Sequence, residues 1–434
     1  MFAYYLDLAL RSLRRNKVLT ALMVLAIGLG IGSSMTMITV LHVMTADPIP
    51  SRSGQLFWAQ VDPQSAEGED ADSEPPMQLT WRDAMNLVHA DKGVHQAAMS
   101  GGQVTMVPPE GASHAFNETV RYTTADFFTM FDVPFVDGRG WTADDDANHA
   151  RVVVLGHDMA DKLYGSTPAV GKTLRLGKYD FRVVGVIDRW NPVPHFYDLT
   201  LGNYANSEQV FMPFETAMEL KQGTMGSMSC WGAWPSDGDM TKAEGCAWVQ
   251  FWVQLDTPAQ VTAYREFLDS YSRQQKTLGR FAREPNTRLR DVMAWLDHNE
   301  VVPGSVQLQT LLALGFLLVC LVNTVAMLLV KFLRRGGELS VRRAMGASRR
   351  DVFAQLLVEA GLVGLAGGLV GLGLSAGGLW IVRQQPAEYA SLAHMDGAML
   401  LATFVLSVVA TLLAALLPAW RACRIVPARL LKTQ

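Results

Sequence analysis

Charge is scarce in this sequence: Asp, Glu, Lys and Arg make up only 18% of it, against 49% hydrophobic residues. A chain this apolar is not a disordered one, which would need low hydrophobicity and high net charge. Its net charge of −4 also gives no overall basic excess for nucleic acid. Cysteine is scarce too, with four in 434 residues, and no Cys/His set has zinc spacing. The nine histidines form no HxxxH or HxxEH pattern, so no metal site is expected. A phosphate-binding loop is missing as well: GSTPAVGKT, 165–173, has five residues between its first Gly and its Gly-Lys pair where the motif needs four. No nucleophile or acid/base pair stands out, so no catalytic residue is assigned and catalysis by this chain is not expected. Asn117-Glu118-Thr119 fits the glycosylation pattern, which occurs often by chance and matters only in secretory eukaryotic proteins.

What the sequence does have is long apolar runs, at 18–44, 306–330, 352–382 and 398–420. At about 1.5 Å per residue each can cross a hydrocarbon core of about 30 Å. All but the third lack Asp, Glu, Lys and Arg; the third holds Glu359, an intramembrane acid and a functional-site candidate by default. It lies about two turns from the cytoplasmic end, where snorkelling towards a basic partner and a transport role are both open. The first run exceeds the apolar core of about 7 to 15 residues of a signal peptide and is read as a retained anchor.

Basic residues collect before the first run (Arg11, Arg14, Arg15, Lys17), after the last (Arg421, Arg424, Arg429, Lys432) and in the loop 334–351. With four spans these three segments share one side, which the positive-inside rule makes cytoplasmic. The organisation follows: an interfacial helix or simple positive flank at 1–17, spans at 18–44, 306–333, 352–383 and 398–420, a cytoplasmic loop at 334–351, a short outer loop at 384–397 and a cytoplasmic tail at 421–434. Residues 45–305 lie outside the cytoplasm, enough for a domain with its own core. The fold class is a membrane protein of four transmembrane α-helices, with a large α+β extracytoplasmic domain between the first and second.

In that domain strands are predicted at 56–61, 152–155 and 181–187, and helices at 81–90, 125–130 and 158–164. Residues 64–76 read as an acidic polar loop, and 258–298 as a helical stalk interrupted at Pro285. Cys230 and Cys246 see an oxidising compartment in a bacterial envelope protein, and are predicted to pair across a Trp- and Gly-rich loop, contributing roughly 3 kcal/mol; two free thiols are the alternative. Small-residue pairs Gly28/Gly32, Gly364/Gly368, Gly367/Gly371 and Gly373/Gly377 mark close helix packing. A pore would more readily show polar or charged rings.

The loop 334–351 carries RRGGELSVRRAMGASRRD. Val341, Ala344 and Met345 form a short apolar strip on a helix that also carries Glu338, Arg342 and Arg343. Gly346 and Ala347 allow a turn, and Ser348 with Asp351 reads as a capping box opening the third span. Such a helix has something to dock against.

Three motifs carry a resemblance over nearly the whole chain: LALRSLRRNKVLTALMVLAIGLGIG; FFTMFDVPFVDGRGWTADDD followed by VVVLGHDMADKLYGSTPAVGKTLRLGKYDFRVVGVID; and E-x-x-x-R-R-A-x-G-A from Glu338 to Ala347, with Glu359 and PAWRACRIVPARLLK after it. Together they resemble permeases of the MacB/FtsX superfamily of ABC transporters, with a MacB-like periplasmic core domain and no fused ATPase. The resemblance implies a multi-pass protein of the bacterial inner membrane that dimerises with a copy or a paralogue. No cofactor would be bound by this chain; ATP and Mg would sit on a separate ABC ATPase subunit. The cytoplasmic loop would be a first coupling helix, with Glu338, Val341, Arg342, Arg343, Ala344, Met345, Gly346 and Ala347 as its docking residues. The tail, through Pro418, Ala419 and Pro427, would form a second. The periplasmic region would hold two subdomains, one inserted in the other over roughly 121–231. The expected function is mechanotransmission for efflux of a periplasmic substrate, with a periplasmic adaptor and an outer-membrane channel as companions. Lipoprotein release in the manner of LolC/LolE, and FtsX-like signalling to an envelope hydrolase, are the alternatives. Gly336-Gly337 before Glu338 and the Trp/Cys loop depart from the family pattern.

Overall fold

The computed structural model describes residues 2–64, 73–109, 114–384 and 397–424. They fall into two compact units: residues 1–45 with 302–434, and residues 46–301.

The first unit is helical. Four helices are long and apolar enough to span a membrane: Lys17–Met44, Gly304–Arg334, Arg349–Arg383 and Gly397–Cys423. Glycine sets how closely they pack. A Cβ added at Gly28 would lie 2.7 Å from Val370 of the third span, and one at Gly367 would lie 2.6 Å from Ile27 of the first. On another face of the third span, a Cβ at Gly364 would lie 2.9 Å from Thr411 of the fourth. One glycine-rich helix therefore seats two neighbours, because lipid supplies no hydrophobic drive and dispersion at short range must do so. Gly373 and Gly377, expected to pack in the same way, face open space. The N-terminal helix Phe2–Arg15 is separate from the first span, with a break at Asn16. It buries Ala9 and Ser12, while Leu10 is exposed.

The second unit is built on a sheet. Its main path runs from edge to edge through Arg288–Asp291, Leu56–Gln60, Cys246–Gln254, His95–Val107, Phe116–Thr123, Val210–Pro213, Val152–Gly156, Tyr179–Ile187 and Phe135–Gly138. The expected strands at 56–61, 152–155 and 181–187 and helices at 81–90, 125–130 and 158–164 are present to within about two residues at each end. Thr80, for example, accepts from the Asp83 N–H to open the helix Trp81–Ala90. Strands from the expected insertion, 121–231, continue the same sheet, since Phe116–Thr123 pairs in parallel with Val210–Pro213. The false phosphate loop is a turn leading into the strand Thr173–Leu176.

Two expectations are corrected. Residues 258–298 are no free stalk: helix Pro258–Thr277 buries Tyr264, Leu268 and Tyr271, and Arg288–Asp291 pairs with Leu56–Gln60 as a strand. Its three apolar residues recur at helical spacing, and burying that face against the sheet outweighs a polar composition. The Trp/Cys loop, expected over Cys230–Trp252, is from Cys246 onward part of the strand Cys246–Gln254, buried at every residue. Trp252 faces Trp58 across the ladder, and Trp58 stacks on Trp295 at 4.3 Å. A bulky aromatic run of this kind suits a strand covered on both faces. A disulfide joins Cys230 to Cys246 across this strand and the short strand Ser229–Cys230. Part of the 64–76 loop lies outside the described residues.

The domain core also contains ions. Arg121 is fully buried and holds Asp198 at 2.6 Å and Glu208, whose other oxygen accepts from Tyr197 at 2.9 Å. Burial alone would raise the Glu208 pKa, but the Arg121 charge overrides it and holds the carboxylate well below its usual range.

Candidate functional site

The loop between the second and third spans folds as the helix Gly336–Ala344. Glu338 in its first turn and Arg342 and Arg343 in its last turn match the helix dipole. Gly346, at φ +103°, then turns the chain, a conformation that suits glycine. Ser348 and Asp351 form the expected capping box: the Asp351 N–H donates to Ser348 Oγ at 3.2 Å, and the Ser348 N–H to Asp351 Oδ2 at 3.1 Å. Tyr5 of the N-terminal helix donates to the same carboxylate at 3.3 Å.

The expected apolar strip is turned outward. Val341 is 52% exposed and Met345 77%, with Ala344 and Gly346 exposed beside them and Ala347 half-buried. The residue that anchors the helix from within is Leu339, packed among the buried side chains of the bundle. Arg342 and Arg343 are half-buried and have partners in the chain: Arg342 Nη1 donates to Gln355 Oε1 at 3.0 Å, and Arg343 Nη1 to the Cys423 carbonyl at 3.2 Å. They tie the helix to the third and fourth spans, while Arg349 and Arg350 remain exposed.

Glu359 is the hub beneath this helix. Fully buried, it accepts from Ser12 Oγ at 2.6 Å and Arg335 Nη1 at 2.8 Å, and forms an ion pair with Lys331 Nζ at 2.6 Å. Arg335 also grips Glu338 through two nitrogens, at 3.0 and 3.3 Å, and Arg15 reaches Glu338 at 3.3 Å. The hydrogen bond from Arg335 holds the Glu338 carboxylate below its ordinary pKa. One connected set of charges thus joins the N-terminal helix, the second span, the loop helix and the third span. Buried charge in a membrane protein is costly unless paired and hydrogen-bonded in this way.

Lys331, Arg335 and Ser12 were not found by sequence reasoning. The signal was the four-residue spacing of Lys331 and Arg335 at the end of the second span, hidden because the apolar run stops at Val330 and the helix continues to Arg334. Two tail residues are placed differently from expectation: Pro418 and Ala419 are buried inside the fourth span and offer no docking surface. Pro427 lies outside the described residues. No group of three or more His, Cys, Asp and Glu that could hold a metal occurs among the described residues.

Four apolar helices, an α/β domain between the first two and a charged helix on the loop between the next two define a class: a multi-pass permease. The signature of the MacB-like periplasmic core domain matches residues 20–271, and that of the FtsX-like permease C-terminal region matches residues 310–427. The chain belongs to this MacB/FtsX family of ABC transporter permeases, and is a multi-pass protein of the inner membrane with a periplasmic domain. It is similar to the macrolide export ATP-binding/permease protein MacB 1/2 of Paracoccus denitrificans, 25% identical over 92% of this chain and 54% of that one. It is also similar to the pyoverdine export ATP-binding/permease protein PvdT of Pseudomonas fluorescens, 24% identical over 71% of this chain and 42% of that one. The chain spans about half the length of the curated relatives it matches. Among solved structures, the periplasmic region of MacB from Actinobacillus actinomycetemcomitans aligns over 58% of this chain and 95% of that one, with 14% identity and a TM-score of 0.36.

Proposed function

We propose that this permease converts ATP hydrolysis on a separate ABC ATPase subunit into movement of its periplasmic domain, and so drives export of a substrate from the periplasm. The observation that carries this reading is the charge network Glu338–Arg335–Glu359–Lys331. It binds an outward-facing helix to two spans, so that a push on the helix is a push on the bundle. Spans packed through glycine and poor in charge suit a lever better than a conduit. The export function named for the relatives supports this reading, which includes a dimer working with an adaptor and an outer-membrane duct.

Val341 and Met345 are the anchors for the ATPase, because the exposed apolar face of a short amphipathic helix is what a partner groove takes up. The Val341→Asp/Met345→Asp double variant should weaken ATPase binding by about 30-fold. Stimulated ATP turnover should fall with it, while membrane insertion and thermal unfolding of the permease stay as in the wild type. Full stimulation of the ATPase by that variant, measured after co-reconstitution in vesicles, would remove the docking assignment.

A further inference from the structure

The N-terminal helix, the first span and the end of the second span enclose a cavity of about 550 Å³ that the coupling network leaves open. Arg15, Lys17 and Arg334 line its mouth, with Lys331 and Arg335 behind them. The carboxylates nearby are Glu338 and Glu359, two against five cations, and both are engaged by Arg15, Lys331 and Arg335. Lys17 and Arg334 are exposed and have no acidic partner among the described residues. Two unpaired cations on facing helices, backed by further positive charge, call for an anion.

The remaining wall says which kind. Val18, Leu22 and Val330 continue from the cations along the spans, and they are 76%, 51% and 46% exposed. Cations at the depth of lipid headgroups beside an aliphatic wall at the depth of acyl chains match both halves of an anionic phospholipid; a free phosphate would use only the first half. We propose that this cavity is a binding site for one anionic phospholipid of the cytoplasmic leaflet. Its phosphate bridges Lys17 and Arg334, and an acyl chain lies along Val18, Leu22 and Val330. The site follows from the topology of the spans and does not depend on the ATPase reading. A lipid seated there would press on Arg335, the residue that holds Glu338 of the loop helix.

Native mass spectrometry of the full chain released from micelles tests this, with phosphatidylglycerol and phosphatidylcholine as competing probes. The wild type should retain phosphatidylglycerol over phosphatidylcholine by about tenfold or more. The Lys17→Gln/Arg334→Gln variant should bring that preference to within about twofold, while Arg11→Gln/Arg14→Gln, which removes equal charge from the exposed side of the N-terminal helix, should keep it. Equal retention of the two lipids by the wild type would overturn the proposal. So would an equal loss in both variants, which would indicate diffuse surface attraction, or displacement of the lipid by millimolar inorganic phosphate. If the double variant does not fold, Lys17→Gln alone and the wild-type phosphate competition decide the matter.

Discussion

Glu359 shows what a single side chain does in this protein. Its burial beside Lys331 and Arg335 turns one acid in an apolar run into the joint between helices distant in sequence. Glu359→Gln would leave Lys331 buried without its counter-charge and Arg335 with Glu338 alone, a loss of roughly 3 to 5 kcal/mol. A clear drop in the unfolding midpoint in detergent is expected, and an unchanged midpoint would refute the joint. Asp146 makes the opposite point in the periplasmic unit. Burial pushes its pKa up to about 7, with Glu215 and Asp145 adding to the rise and the Ala125 N–H, at 2.7 Å, opposing it. A carboxyl whose folded pKa lies above its unfolded value of about 3.9 binds its proton more tightly in the native state. Its contribution to stability is therefore full below about pH 4 and is lost as the pH rises to about 7. Asp146→Asn should flatten that decline, read as the unfolding midpoint of the full chain against pH; a slope equal to the wild type's would count against it.

At the scale of elements, the third span carries the packing prediction. Adding a methyl at Gly367 forces it into Ile27, whereas at Gly373 it meets nothing. Gly367→Ala should cost roughly 1 to 3 kcal/mol through overpacking, while Gly373→Ala should be neutral or stabilising as in any helix. Thermal unfolding of the two variants side by side decides it, and equal effects would mean that the glycine face does not set the helix spacing. The loop helix was readable in the sequence as far as its charges, turn and capping box, because each is fixed by neighbours within four residues. Which of its faces points inward was not readable. Leu339 goes in and Val341 out because of where Glu359 and Arg335 sit, and that depends on two other helices.

At the scale of the whole molecule, the sequence alone fixed the number of spans, the side on which each loop lies and the presence of a large α+β domain. Hydropathy and charge decide those one segment at a time, since the cost of a charge in lipid depends on local composition and not on distant contacts. Both Val152–Gly156 and Cys246–Gln254 are buried at every residue and show no alternation; the first was legible because its short run of valines is β-branched, and the second was not because Gln, Cys and Trp interrupt it. Only tertiary structure decided that helix Pro258–Thr277 lies against the sheet, that Pro418 and Ala419 are interior, and that Lys331, Arg335, Ser12 and Glu359 meet. Long-range pairing of buried charge leaves no periodic trace in a sequence, because partners more than three hundred residues apart, such as Ser12 and Glu359, are brought together by helix packing and not by spacing.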